Sequence, residues 1–167
     1  MNMVSKDTFK SIWSMFPTGV SLITTIEPNG TVHGMPANAI SSVSIEPLLI
    51  LVCVDHSRDT FKILNKTNRF GINFLSTDQK HIIDRYVSKK KISSEEMSKI
   101  YCFTEHGSAM LKNCISMLDC RVTNKYLAGD HTIFVAEVDG AYLNSGSDPL
   151  IFFKGEYRKV SGPIIDN

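Results

Sequence analysis

The sequence predicts a mainly β fold with peripheral helices, an antiparallel barrel in one domain spanning residues 1–167. Three observations carry this. Short runs rich in β-branched and aromatic residues recur along the chain. Most neighbouring runs are separated by turn signals suited to hairpins rather than by long crossovers. Helical periodicity is confined to the N-terminus and the middle of the chain.

The elements follow in order. Phe9, Ile12, Trp13 and Phe16 recur at helical spacing and predict a short amphipathic helix over 5–15, stopped by Pro17. Gly19 to Ile26 reads as a strand, and Pro28-Asn29-Gly30 turns it into a second at Thr31-Val32-His33. Leu48 to Val54 is a strand apolar on both faces. Asp55 to Thr60 reads as a loop closing in a helix N-cap, with Phe61, Ile63 and Leu64 in the helix that follows. Arg69 to Leu75 is a further strand. Ser76 with Gln79, and Ser93 with Glu96, are capping boxes that open helices through Tyr86 and near 94–100. Residues 101–113 carry no clear pattern. Three long strand candidates then occupy 114–127, 131–143 and 149–160, with Gly129-Asp130 and Ser145 to Pro149 as the turns between them.

Composition excludes several classes. Lys and Arg number 18 against 17 Asp and Glu, so no charge excess points to nucleic acid. Lys89-Lys90-Lys91 is the one cationic cluster and reads as solvated surface. The longest apolar run falls far short of the ~20 residues of a membrane span. The N-terminus is polar and helical rather than a signal peptide. The four cysteines form no C-x-x-C pair, and Cys53 sits in an apolar strand as a small hydrophobe. Free thiols and no leader predict a cytoplasmic protein. His33, His56, His81, His106 and His131 lack ligand-like spacing, so no metal site is expected. No G-x-G-x-x-G, P-loop, H-E-x-x-H or G-x-S-x-G motif occurs.

One stretch points to a ligand. Gly34-Met35-Pro36-Ala37-Asn38-Ala39-Ile40-Ser41-Ser42-Val43-Ser44 is a run of small and hydroxylated residues feeding the strand at 48–54. Small side chains let a flat molecule approach the backbone, and the amides, hydroxyls and Asn38 can then hydrogen-bond its edge. The same composition also suits a plain Ser-rich bend. Ser57, Arg58 and Thr60 precede a helix, where free amides and the helix dipole favour an anion; Arg58 can add a charge-assisted contact. Ser57 suits either a plain N-cap or a phosphate contact.

These segments combine with Phe16-Pro17-Thr18-Gly19-Val20-Ser21-Leu22-Ile23-Thr24-Thr25, with Gly129-Asp130-His131-Thr132-Ile133-Phe134-Val135-Ala136-Glu137-Val138, and with Pro149 to Lys159. In that order they resemble the flavin reductase-like family, the short-chain NAD(P)H:flavin oxidoreductases of the FMN-binding split-barrel fold. The resemblance covers about residues 8–160. It implies an antiparallel split β-barrel and a homodimer with one flavin per subunit, in a groove near the subunit interface. It implies FMN, with FAD as the alternative, and NADH or NADPH as electron donor. The isoalloxazine is expected against Pro36, Ala37, Asn38, Ala39 and Ile40. The phosphate is expected at Ser41, Val43 and Ser44 and at the turn of Ser57, Arg58 and Thr60. His131 is expected on the nicotinamide side, with Tyr157 and Arg158 near the same pocket, and Asp130 orienting the turn. Ala39 lacks a hydroxyl common at that position in relatives, and Pro47-Leu48 stands where they commonly carry two prolines. The Lys/Ser/Glu-rich stretch 86–106 is expected to cover the pocket. The activity implied is hydride transfer from NAD(P)H to flavin, with a partner oxygenase downstream. The alternative is an FMN-binding electron-transfer or flavin-carrier protein.

Overall fold

Seven strands form one antiparallel sheet whose two edges are consecutive in the chain. In this computed structural model, which describes residues 4–88, 92–144 and 146–162, β2 (Ser21–Ile26), β3 (Val32–Ala37), β4 (Ile40–Ser44), β5 (Leu49–Asp55), β6 (Arg69–Phe74), β9 (Ser116–Ala128) and β10 (His131–Leu143) pair in the order β3-β2-β6-β9-β10-β5-β4. Only Asn38 and Ala39 separate β3 from β4. Three Cα steps reach at most about 11 Å, so the sheet must curl until its first and last strands lie side by side. That makes a barrel, and no ladder joins β3 to β4, so the barrel is split along that line. The expected antiparallel split barrel is what forms.

A small sheet lies beside it: β1 (Thr18–Gly19), β11 (Ile151–Phe153) and β12 (Glu156–Arg158), in the order β1-β11-β12. The single strand expected over 149–160 is therefore a hairpin. Lys154 and Gly155 both take positive φ and reverse the chain. Backbone bonds from Val20 to Leu150 and from Leu150 to Leu75 tie this sheet to the barrel. Residues 101–113, unassigned in sequence, form a second short hairpin of β7 (Tyr101–Phe103) and β8 (Ala109–Leu111).

Helix α1 (Lys6–Trp13) is capped by Ser5, which accepts from the Thr8 amide. Its apolar side chains are not buried: Phe9, Trp13 and Phe16 stack in a row on the surface. Helix α2 (Asp59–Thr67) turns Leu64 into the core. The Ser76 capping box forms with Gln79 and opens a 3-10 turn that runs into α3 (Lys80–Val87). The Ser93–Glu96 box opens α4 (Ser94–Ile100). The Lys89-Lys90-Lys91 cluster and the tail from Pro163 onward lie outside the described residues.

Strand β2 shows how the layers divide. Leu22 and Ile23 are neighbours in sequence, and both are fully buried on opposite faces. Leu22 packs with Leu75, Ile83, Leu111 and Met117 under α3 and the β7–β8 hairpin. Ile23 packs with Val52, Leu64, Phe70 and Phe134 inside the barrel. Strand β5 differs from expectation: Ile50, Val52 and Val54 are buried, while Leu49, Leu51 and Cys53 remain half-exposed. All four cysteines are free. Burial pushes the Cys114 thiol up to about 11 and the Cys120 thiol up to about 12, so both stay protonated and pack as apolar groups.

Asp119 on β9 is the buried polar anchor of this architecture, 1% exposed. It accepts from Arg69 Nη1 at 2.8 Å and from the hydroxyls of Ser108 and Thr104. It thereby ties β6, β9 and the 104–108 loop together. Removing one partner of a buried pair leaves an uncompensated charge. We expect Asp119→Ala to lower the unfolding free energy by about 3 kcal/mol in urea titrations. Breaking the exposed Lys99–Glu95 pair with Glu95→Ala should change it by no more than about 0.5 kcal/mol.

Candidate functional site

The split line of the barrel opens into a groove. It has a volume of about 150 Å³ and is lined by Val20, Pro36, Ala37, Asn38, Phe152 and Tyr157. Each wall has a local cause. Pro36 has no amide hydrogen, and β3 is an edge strand, where a missing donor costs no ladder bond. The Ser21 hydroxyl donates to the Ala37 carbonyl at 2.8 Å, the Cys53 amide to the Ala39 carbonyl at 2.9 Å, and Asn38 Nδ2 to the Thr18 hydroxyl at 3.2 Å. The β3–β4 link is thus pinned from both sides, and small side chains leave its backbone open.

The opposite wall comes from the β11–β12 hairpin. Phe152 and Tyr157 pair across it with ring centroids 5.5 Å apart. The Lys80 ammonium sits 5.4 Å from the Tyr157 ring centroid. Desolvation, with Asp84 nearby, raises the Tyr157 phenol above its ordinary value, so it stays a neutral donor. Arg158 pairs with Glu156 on the exposed face and does not line the groove. Among the described residues, none of the stretch 86–106 lines the groove either: Met97, Ile100 and Tyr101 pack on the core, and Tyr86 lies directly over Gly34.

A second group of residues gathers where β5 ends. His131 is the cross-strand partner of Asp55, and the Gly129-Asp130 turn opens β10 just before it. His131 Nδ1 lies 2.7 Å from Asp130 Oδ1. That hydrogen bond, with the adjacent imidazole, holds the Asp130 carboxyl below the usual carboxylate range. Asp55 accepts from the Ser57 amide at 2.7 Å, and this bond holds its carboxyl low as well. Ser57 is therefore committed to Asp55 and is not the helix cap. Arg58 occupies the cap position of α2 and makes no side-chain capping bond. Among the described residues, the amides of Asp59 and Thr60 have no protein partner. The Asp59 carboxylate lies 3.4 Å from Lys62. Thr60 is fully buried, and its hydroxyl has no hydrogen-bond partner among the described residues. The Asp59 amide, the helix dipole and the adjacent Arg58 are the donors that this end of α2 presents to an anion.

Strand β5 decides which expected residues share one site. Ala39 meets Cys53, two residues from Asp55, so Pro36 to Ala39, the α2 N-terminus and His131 all lie toward one end of β5. Ser44 pairs with Leu49 at the other end, six residues from Asp55. At ~3.3 Å per residue that is roughly 20 Å. Ser44 and the turn of Ser57 to Thr60 therefore do not converge on one phosphate within a subunit, whereas Ser41, paired with Leu51 near the middle of β5, lies closer to that turn. Ser41 donates to the Ser42 carbonyl, Ser44 accepts from the Glu46 amide, Val43 sits at a bulge, and Ile40 packs into the core. Val20 and Phe152 line the groove although sequence reasoning named neither for it. The aromatic pair at 152 and 157 has a legible signal only once Lys154-Gly155 is read as a turn.

Comparison with known proteins agrees with this geometry. A model of the flavin reductase-like domain matches residues 13–161. An NADH-dependent flavin reductase of a Rhodococcus species is 31% identical over 147 residues, covering 87% of this chain and 81% of that protein. The solved flavin reductase PheA2 superposes with a TM-score of 0.84 at 33% identity, covering 95% of this chain and all of that one. A Streptomyces globisporus NADH:FAD oxidoreductase, solved with NAD and FAD fragments, superposes with a TM-score of 0.83 at 25% identity, covering 96% of this chain and 98% of its own. With the matched domain spanning nearly the whole barrel, the chain belongs to the flavin reductase-like family.

Proposed function

We propose that this protein is an NADH:flavin oxidoreductase that binds FMN, with FAD as the alternative, in the groove of the split barrel. The observation that carries the proposal is the convergence at one end of β5: an open small-residue backbone at Pro36 to Ala39, an unfilled helix N-terminus at Asp59 and Thr60, and His131. Bound flavin supplies the acceptor for a hydride from the reduced nicotinamide. NADH is the donor we propose, on the strength of NADH-dependent relatives such as those of Rhodococcus and Kitasatospora aureofaciens.

The residues then have distinct tasks. The backbone of Pro36 to Ile40 lies against the ring, with Asn38 toward its polar edge. Amides on that segment favour negative charge as it develops on the ring. Phe152 and Tyr157 close the apolar wall. The Arg58 guanidinium and the Asp59 amide take the phosphate. His131, oriented by Asp130, sits where the nicotinamide enters and holds it in line for transfer. No side chain acts as a nucleophile.

We further propose a cytoplasmic homodimer that feeds reduced flavin to an oxygenase. Exposed apolar residues support the dimer: Phe9 and Trp13 on α1, Phe16 just after it, and Val43, Ile45 and Leu48 around the β4–β5 turn. Free cysteines suit a reducing compartment. The oxygenase is suggested by relatives that serve two-component systems, such as BorF, the reductase component of a tryptophan halogenase.

Two measurements test the site. Ala37→Phe fills the groove floor and should weaken flavin binding at least about tenfold by absorbance titration, with the circular-dichroism melt little changed; unaltered binding by a folded variant would place the flavin elsewhere. His131→Ala should slow flavin reduction by NADH about tenfold or more while flavin affinity stays within about twofold. Equal losses of rate and affinity would remove His131 from the nicotinamide side.

A further inference from the structure

His56 makes three contacts, two of which converge on the turn carrying His131. Its backbone amide donates to the Asp130 carbonyl at 3.1 Å. Its Nε2 lies 3.0 Å from the Thr132 hydroxyl. Its ring rests on Phe61 of α2, with centroids 4.6 Å apart. Phe61 in turn meets Phe134 edge-on at 6.3 Å. The two hydrogen-bond partners are the residues immediately before and after His131.

The tip of the β9–β10 hairpin needs such an anchor. Residues 123–130 are exposed throughout. Strand β6 pairs with β9 only as far as Arg121, and β5 pairs with β10 only as far as His131. Beyond those ladders, the hairpin tip is held by its own two strands and by His56. Thr132 is buried, and successive strand residues face opposite ways. Fixing the Thr132 hydroxyl inward therefore fixes the His131 ring outward, toward the open end of β5. His56 is also the residue that joins this turn to α2, whose first amides face the proposed phosphate position.

We propose that the His56 side chain, acting through the Thr132 hydroxyl, is a positioning residue that sets the His131 ring for nicotinamide alignment. The inference rests on the reading of His131 given above. His56 itself touches neither nicotinamide nor flavin. Its loss would loosen His131 by an ångström or so, which lowers the population aligned for transfer and leaves the flavin groove intact.

The test is stopped-flow reduction of the FMN-loaded protein by NADH, together with flavin titration, for His56→Ala, Thr132→Val and the pair, each alone and combined with His131→Ala. We expect each single change to lower the limiting reduction rate about tenfold. Flavin affinity should stay within about twofold, because the groove residues are untouched. The His56→Ala/Thr132→Val pair should be no slower than the slower single variant, since both act through one hydrogen bond. Neither change should add to His131→Ala. His56→Gln, whose amide can still reach Thr132, should recover most of the rate. Wild-type rates in His56→Ala and Thr132→Val overturn the inference, as does further loss on top of His131→Ala or a parallel loss of flavin affinity. If His131→Ala itself reduces at the wild-type rate, the reading of His131 falls and this inference falls with it. If His131→Ala is slow while the other two are fast, this inference alone falls.

Discussion

The two-residue link between β3 and β4 is the constraint on which the rest of the molecule depends. A seven-stranded sheet whose edge strands are joined by Asn38 and Ala39 cannot stay open. Closing it brings the two edges together without a ladder between them, so backbone is left unpaired along the seam. In an ordinary sheet such an edge is a liability that side chains or loops cover. Here the seam is where the groove forms, and small residues at Ala37 and Ala39 keep it open. The groove follows from the way the barrel closes.

Strand β5 then distributes the chemistry. Its last residues bring the β3–β4 link, the α2 N-terminus and the β10 entrance to one place, through Cys53, Asp55 and His56 respectively. Asp55 restrains the Ser57 amide at the entry to α2. Away from that end, the molecule is held by different means. Asp119 binds three donors at the far side of the sheet, and two separate apolar clusters fill the faces of β2 and β6. The anchor at Asp119 on β9 shares no residue with the groove, so a groove residue can change without removing the anchor.

Much of the architecture was legible in the residues. Pro28-Asn29-Gly30 and Gly129-Asp130 marked two hairpins, and both capping boxes opened the helices they announced. These are local signals: a turn needs particular backbone angles, a cap needs a side-chain acceptor, and both are written within four residues. The hairpin split at Lys154-Gly155 and the β7–β8 pair were missed because their strands are only three residues long, too short for a period to show.

The sequence by itself determined the strand content, the small-residue seam and the family pattern, since each depends on residue type at short range. Only the tertiary structure decided which of the candidate residues meet. Ser44 and Ser57 to Thr60 lie in stretches that read alike as hydroxyl-rich, yet β5 sets them at opposite ends. Arg158 and Tyr157 are adjacent, yet the pleat turns only the tyrosine to the groove. His56 read as a loop residue, and its role appears only where the end of β5 meets the start of β10. Pairing register and strand length govern these relations, and both are settled by burial across the whole barrel rather than by any local run of residues.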